Sequence, residues 1–423
     1  VFSRVLFAIE SPGQPTGYGR IARELLPRLA ERTHGVRGRR TPQYALLAWS
    51  HPGSGACAFD SEGYELIAPK SRDGGPVSRS WNSDELEAAV QSFQPDMVVT
   101  VGNLRMLESV QSVPSRPFFD WIGYFPVEGV PLPSWRLHTI TQMDSAVTFT
   151  DHGRQAVTGA LPGVSCSTVG LGVDAMRFRP LRNRERLRRE AGLGGAFVVG
   201  CVARNQPRKQ FPVLMEAFAR LASRCREAAL YLHADPFDLG WDLTALADHF
   251  GIADRTFFSS ALTKGGSVGD ADLNETYNLF DVFVLPTAAE GFGLPILESM
   301  AAGVPVVVTN HGGAAELVEG RGFLVEPKAL LTDETSHTDL ALLDSEDLAQ
   351  VLAGLRPNGV RSRRQSDARL RCSQAGRRFA KCCSWDGCAD RWVEFLGQAG
   401  RQRDRLAGAG ALGQDCREAV DPT

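Results

Sequence analysis

The sequence predicts two α/β domains, each built on a parallel sheet. Three observations carry that prediction. Short apolar runs, such as Arg4–Ile9, Asp96–Val101, Ala196–Val202 and Val282–Leu285, alternate with helical patterns along most of the chain. That alternation is the order a parallel sheet with crossover helices imposes. At 423 residues the chain has room for two cores or more, since domains run to about 100–200 residues each. The third observation is a complete strand–loop–helix–strand unit over residues 282–308.

That unit is the most informative stretch. Val282-Phe-Val-Leu285 reads as a buried strand and Val304-Pro-Val-Val-Val308 as the next one. Between them Pro295 suits a first helical turn, where a missing N–H costs nothing. Leu294, Leu297, Met300 and Ala301 recur at helical spacing, and Gly303 can stop the helix. The loop Glu290-Gly-Phe-Gly293 therefore faces a helix N-terminus, where free N–H groups and the helix dipole favour an anion. Two carboxylates, Glu290 and Glu298, bracket it eight residues apart.

The string Glu290-Gly-Phe-Gly-Leu-Pro-Ile-Leu-Glu298 resembles the Glu-x7-Glu signature of the GT-B retaining glycosyltransferases, family 4. The resemblance implies that Glu290 touches a donor sugar. Gly291, Phe292, Gly293 and Leu294 would lie beside the sugar and phosphate, and Glu298 would hold the ribose of the nucleotide. It also implies two Rossmann-like domains facing each other across a cleft. The donor would be a nucleoside diphosphate sugar, transferred with retention to a hydroxyl acceptor: glycan, lipid, small molecule or protein. In the front-face route commonly proposed for the family, the departing phosphate oxygen helps deprotonate the acceptor. No protein nucleophile, metal or other cofactor is then expected, and no Asp-x-Asp metal motif stands out.

In chain order, Arg4–Ile9 reads as the first strand and 20–30 as a helix. The intervening loop holds Gly17-Tyr-Gly19, which is similar to the family's donor-facing glycine loop; Gly17 and Gly19 would then contact the donor. It lacks the third glycine of a dinucleotide fingerprint, and a plain strand–helix turn would use the same residues. Strands follow at Tyr44–Trp49 and Tyr64–Ile67, then a helix through Phe93 with Ser83 as its cap. Phe118–Pro133 is a strand running into a Pro/Gly-rich loop. The family often places a His near its end; here Gly123 or Tyr124 stands roughly in that place, so Tyr124, Glu128 or Asp120 is the candidate site residue. Ser145–Thr150 is a strand before an Asp151-capped helix, whose His152 reads as a surface residue. Gly172-Val-Asp-x3-Phe178-x-Pro180 resembles the family string that closes the first domain, and Leu181–Ala191 reads as the linker.

The second domain opens with Ala196–Val202. The loop after it carries Arg204 and Lys209, similar to the family's cation pair on the donor diphosphate, with Arg208 a rival. Cations are required there because the leaving diphosphate gains negative charge as the glycosidic bond breaks. His233 and Asp238, near the end of the strand 229–234, read as a core His and a capping Asp. Gly312-Gly-x2-Glu316 resembles the family's next loop, and 384–396 its closing helix, which returns toward the first domain. The domain plan is thus 1–181, 182–370, a helix at 371–397 and a disordered tail at 398–423.

Net charge of −3 points away from nucleic acid as a partner. Nine cysteines, an odd number with no CxxC pair and no nearby His, read as free thiols of a reducing cytoplasm rather than a metal site. No stretch reads as a signal peptide, and no apolar run approaches the ~18–20 residues that span a bilayer. A cytoplasmic protein is expected. From Arg356 to Arg405, 13 basic residues stand against 5 acidic ones, which suits a solvated helix face or peripheral contact with an anionic membrane. Two other readings share this architecture: a sugar-nucleotide epimerase, and a partner subunit that binds donor without turning it over.

Overall fold

A computed structural model describes residues 3–33, 42–49, 64–67, 82–259, 268–356, 373–380 and 383–399. Four of the nine cysteines (Cys57, Cys372, Cys382 and Cys416), most of the basic stretch and the tail beyond 399 lie outside these residues. Two sheets dominate. The first orders its strands β3-β2-β1-β4-β5-β6-β7. These are β1 Arg4–Glu10, β2 Gln43–Trp49, β3 Tyr64–Ile67, β4 Met97–Val101, β5 Asp120–Phe125, β6 Ser145–Thr148 and β7 Cys166–Thr168. β1 lies between β2 and β4, parallel to both, with Val5 opposite Tyr44 on one side and Met97 on the other. The second sheet runs β10-β9-β8-β11-β12-β13. Its strands are β8 Phe197–Val202, β9 Ala228–His233, β10 Thr256–Phe258, β11 Val282–Leu285, β12 Val306–Thr309 and β13 Phe323–Val325. Strand order reverses beside β8, which pairs in parallel with both β9 and β11. Such a reversal opens a crevice at the C-terminal ends of the strands.

The chain divides into two compact units, drawn from Val1–Tyr124, Thr139–Ala146 and Trp385–Thr423, and from Phe125–His138 and Val147–Ser384. In the first, every residue of β1 from Val5 to Glu10 is buried, as expected for a strand covered on both faces. The helix at 385–399 packs here. Trp392 is fully buried with its ring edge-on to Tyr124 at 5.0 Å and to Phe7 at 6.2 Å. Arg32 of the Gly17–Thr33 helix fastens its outer face through Asp386 at 2.7 Å and Asp390 at 2.6 Å.

The second unit has its own core. The Phe211–Ala222 helix inserts Phe211, Leu214 and Phe218 against Val199, Leu230 and Val284 of the sheet. Gly200 is required in β8, because a Cβ there would lie 2.2 Å from the Phe280 ring. The arginine-rich segment read as a linker forms the helix Arg184–Glu190. Its Arg188 is buried and donates to Leu279 O at 2.6 Å and to Asp281 Oδ2 at 3.1 Å. Asp281 also accepts from Val198 N at 2.9 Å, so one carboxylate ties helix, β8 and β11 together.

Two caps sit one residue earlier than the sequence suggests. Asn82, not Ser83, caps its helix and forms a reciprocal box with Glu85. Thr150 rather than Asp151 accepts from Gly153 N. A two-stranded antiparallel ribbon, β14 Ala329–Thr332 and β15 Asp339–Leu342, has no counterpart in the sequence reading.

Candidate functional site

In the second unit, the loops following β8 and β11 meet. Residues Pro207–Lys209 form one tight turn, and Gln210 follows in the left-handed region at φ 49°. The Gln210 amide donates to Pro286 O and Ala341 O, both at 2.9 Å, while Ala288 N donates to Arg208 O at 2.7 Å. These bonds bring both cations of the turn to one carboxylate. Lys209 Nζ donates to Glu290 Oε2. Arg208 Nη1 donates to Ala289 O at 2.8 Å and lies 3.4 Å from the same Oε2. Arg208 Nη2 also reaches Glu128 Oε1 at 3.5 Å.

Charge and burial compete at this cluster. Burial alone would raise the Glu290 carboxyl, but the Lys209 and Arg208 charges outweigh it and hold Glu290 below the usual carboxylate range. Burial likewise pulls the Lys209 ammonium down, and Glu290 only partly restores it. The balance favours an ionised pair, poised so that any further anion would be drawn to the two cations.

The glycines beside Glu290 are there for space. A Cβ on Gly291 would sit 2.3 Å from Pro126 Cβ. Gly293 adopts φ 98° at the start of the Leu294–Ala301 helix, a conformation that favours glycine. Gly313 N donates to Glu290 O at 3.0 Å, anchoring the loop from the next crossover. Phe292 is buried, and Pro295 occupies the first helical turn as its ring prefers.

The structure therefore gathers Lys209, Glu290, Gly291, Phe292, Gly293 and Leu294 at one place, and adds Arg208 and Glu128. It places two other expected residues differently. Arg204 points to Asp238, with Nε 2.7 Å from Oδ2 and Nη2 3.2 Å from Oδ1, and its side chain is 59% exposed. Glu298 is buried in the Leu294–Ala301 helix and accepts from Tyr277 Oη at 2.7 Å. Gly17 and Gly19 belong to the first unit. There Thr16 Oγ1 accepts from Gly19 N at 3.1 Å and donates to the buried Glu10 carboxylate.

Tyr124 is fully buried, and burial pushes its phenol well up. A Cβ on Gly123 would strike Met143 Sδ at 2.3 Å. Both are packing residues of the first core, so of the candidates near the missing His only Glu128 lies by Glu290. His152, read as a surface residue, is half-buried, and its Nε2 has no partner. With His311 and Glu316 it lines a cavity of about 380 Å³. Among the described residues, no three His, Cys, Asp or Glu side chains are grouped to hold a metal, and no helix is long and apolar enough to cross a membrane.

Comparison with known proteins places the fold. The fold matches sucrose-phosphate synthase of Thermosynechococcus elongatus at a TM-score of 0.72, with 17% identity over 96% of this chain and 100% of that one. It matches Anabaena HepE, solved with UDP and glucose, at 0.67, with 18% identity over 94% of this chain and 100% of that one. The architecture is that of the GT-B glycosyltransferases, two parallel-sheet α/β domains. Residues 196–343, which contain Lys209, Arg208 and the loop from Glu290 to Leu294, match the family model of glycosyl transferases group 1, the family the sequence resembles. The chain is 33% identical over 201 residues to a GDP-mannose-dependent alpha-(1-6)-phosphatidylinositol monomannoside mannosyltransferase of Mycobacterium tuberculosis. It is 32% identical over 245 residues to a D-inositol 3-phosphate glycosyltransferase of Saccharomonospora viridis. These matches cover 45% and 55% of this chain, and the chain spans about half (50%) the length of each relative.

Proposed function

We propose that this protein is a retaining glycosyltransferase that moves a sugar from a nucleoside diphosphate sugar to a hydroxyl acceptor. The observation that carries the reading is the Lys209–Glu290–Arg208 cluster set against the Gly291–Gly293 loop at a helix N-terminus. The loop admits a sugar and phosphate close to the backbone. The helix end and the two cations favour the diphosphate, whose charge grows as the glycosidic bond breaks. Lys209 supplies a compact charge and Arg208 a fork that can take two phosphate oxygens. Arg204 joins them once the diphosphate draws it from Asp238.

Glu290 accepts hydrogen bonds from the donor sugar and orients it. Glu298, aligned by Tyr277, meets the ribose hydroxyls. The acceptor hydroxyl attacks the anomeric carbon on the face the diphosphate leaves, and a departing phosphate oxygen takes its proton. The nucleoside diphosphate sugar is the co-substrate, and no metal or other cofactor is assigned. Relatives named for phosphatidylinositol mannoside and inositol phosphate acceptors support a polyol acceptor, free or lipid-borne. A lipid-borne acceptor would place the enzyme at a membrane surface.

The test is nucleoside diphosphate release from a panel of UDP-, GDP-, ADP- and TDP-sugars, with inositol phosphates and phosphatidylinositol glycolipids as acceptors. Release with one donor, and a product anomer matching the donor by NMR, is the expected result. Binding without release from any acceptor would replace the transferase by a donor-binding subunit. Inversion of the sugar without an acceptor would make it an epimerase.

A further inference from the structure

The second sheet has a charged cavity at the edge opposite the Glu290 loop. Asp281 comes just before β11 and Pro305 just before β12, so the cavity sits where these strands begin, whereas the Glu290 loop follows the end of β11. Its volume is about 240 Å³, below the roughly 300 Å³ at which pockets for drug-sized ligands begin. Two guanidiniums line it from different elements: Arg184 of the Arg184–Glu190 helix and Arg377 of the helix 373–380. Arg184 Nη2 donates to Phe280 O and to Asp281 Oδ1, both at 3.0 Å. The other oxygen of Asp281 is taken up by the buried Arg188 and by Val198 N. Arg377 is half-buried, and among the described residues it has no hydrogen bond or ion pair. A Cβ on Gly303 would lie 3.1 Å from Pro180 Cγ and 4.0 Å from Arg377 Cδ, so the proline and the arginine stem flank that glycine. The helix carrying Arg377 is pinned at its start by Ser373 Oγ, which donates to Gly303 O, and further along by the Arg321 guanidinium, 3.8 Å from the Phe379 ring centre.

The charges here do not balance. Arg184 and Arg377 line the cavity, and Arg188 backs it through Asp281. These three cations face one buried carboxylate, Asp281, which leaves a surplus of two positive charges. Glu185, which Arg184 Nη1 reaches at 3.3 Å, is 70% exposed and offsets little through water. Charge withdrawn from water is ordinarily paired, and a dianion would complete this set. A phosphate monoester carries about −1.5 to −2 at pH 7, and its three oxygens match guanidinium forks. A carboxylate supplies a single charge and would leave half of the surplus uncompensated. Beside the cations the lining is apolar, from Pro180, Leu181, Phe280 and Pro305, which suits a short carbon body. We propose that this cavity binds a small phosphate monoester, held by Arg377 and Arg184 and separate from the donor site. The proposal goes beyond the transferase reading and does not rest on it.

Calorimetric titration of the full chain with phenyl phosphate tests the proposal. Arg377→Gln should weaken binding about ten-fold or more, the size of one hydrogen bond to a charged group. Arg377→Lys keeps the charge but loses the fork, and should fall between wild type and Arg377→Gln. Arg377 has no partner to lose, so both variants should keep the wild-type urea midpoint, and their weaker binding is then not a failure to fold. The double variant Lys209→Met/Glu290→Gln disarms the donor-site cluster. It should bind phenyl phosphate within about two-fold of wild type, because distant sites act independently. Benzoate, with the same ring and a single charge, should bind wild type about ten-fold more weakly than phenyl phosphate. No binding to wild type, or equal binding to Arg377→Gln, would overturn the site. So would the reverse pattern, in which the double variant loses phenyl phosphate and Arg377→Gln keeps it, because the phosphate would then sit at the Glu290 loop. Benzoate bound as tightly as phenyl phosphate would overturn the assignment to a dianion.

Discussion

The two glycine-bearing loops of this protein are built on different principles. In the first unit, the loop between β1 and the Gly17–Thr33 helix is shaped by contact. A Cβ on Gly19 would lie 2.4 Å from Gln14 O, and the Glu10 carboxylate is taken up by the Thr16 hydroxyl. In the second unit, the loop 286–293 is shaped by charge. A half-buried Glu290, in the loop that leads into a helix N-terminus, holds Lys209 and Arg208. A steric contact of the first kind fixes shape, and so selects what fits. A buried ion pair of the second kind stores field at one place, which suits a reaction whose transition state gains charge.

The largest test of this contrast is Lys209→Ala. It removes a donor aimed at the developing charge, so kcat should fall about a hundred- to thousand-fold. It also leaves the half-buried Glu290 with Arg208 as its remaining cation, which should cost about 3 kcal/mol at most in urea unfolding. The double variant Lys209→Met/Glu290→Gln should regain most of that stability and none of the activity. If activity returned as well, the pair would be structural and the contrast would fail.

Next come the glycines themselves. Gly291→Ala and Gly19→Ala should each destabilise by about 1–3 kcal/mol through overpacking, read as a shift in the urea midpoint. Donor affinity should separate them: calorimetry should show Gly291→Ala weakening the nucleotide sugar far more than Gly19→Ala. Equal losses would mean the first loop grips the donor as closely as the second.

A smaller effect concerns pH. Burial lowers His233 from 6.5 to about 4, so the folded chain keeps it neutral while the unfolded chain takes up a proton near 6.5. Its contribution is therefore complete above pH 6.5 and is lost as pH falls toward 4. The whole span is worth about 3 kcal/mol at most. Urea midpoints at pH 7.5 and 5 should differ in wild type and differ less in His233→Gln; an identical difference in both would rule this group out. The smallest effect belongs to the surface of the first unit. Arg32→Ala breaks its contacts with the exposed Asp386 and Asp390 and should cost no more than about 1 kcal/mol in thermal unfolding. A larger loss would show that charge matters in the first unit too.

Much of the second unit was legible in the sequence because its signals are local. Pro295 in a first turn, Gly303 as a stop at φ 80° and the apolar β11 and β12 all follow from a few neighbouring residues. The choice among the cations of 204–209 was not legible in this way. It depends on the Gln210 amide, which bonds to Pro286 O and Ala341 O, 76 and 131 residues away. Those bonds turn Arg208 and Lys209 inward and leave Arg204 to Asp238. Tyr124 was equally beyond reach from local pattern, since Trp392 is what covers it.

By itself, then, the sequence determined where strands and helices fall, which residues must be glycine or proline, and which family signature the chain carries. Periodicity, backbone freedom and ring geometry act over a few residues and can be read there. Tertiary structure alone decided which charges meet and which polar groups are buried without a partner. It also decided whether an aromatic ring packs inside, like Tyr124, or stands exposed, like Phe237. Those outcomes follow from desolvation and from contacts between residues far apart in the chain, and neither is a property of any local stretch.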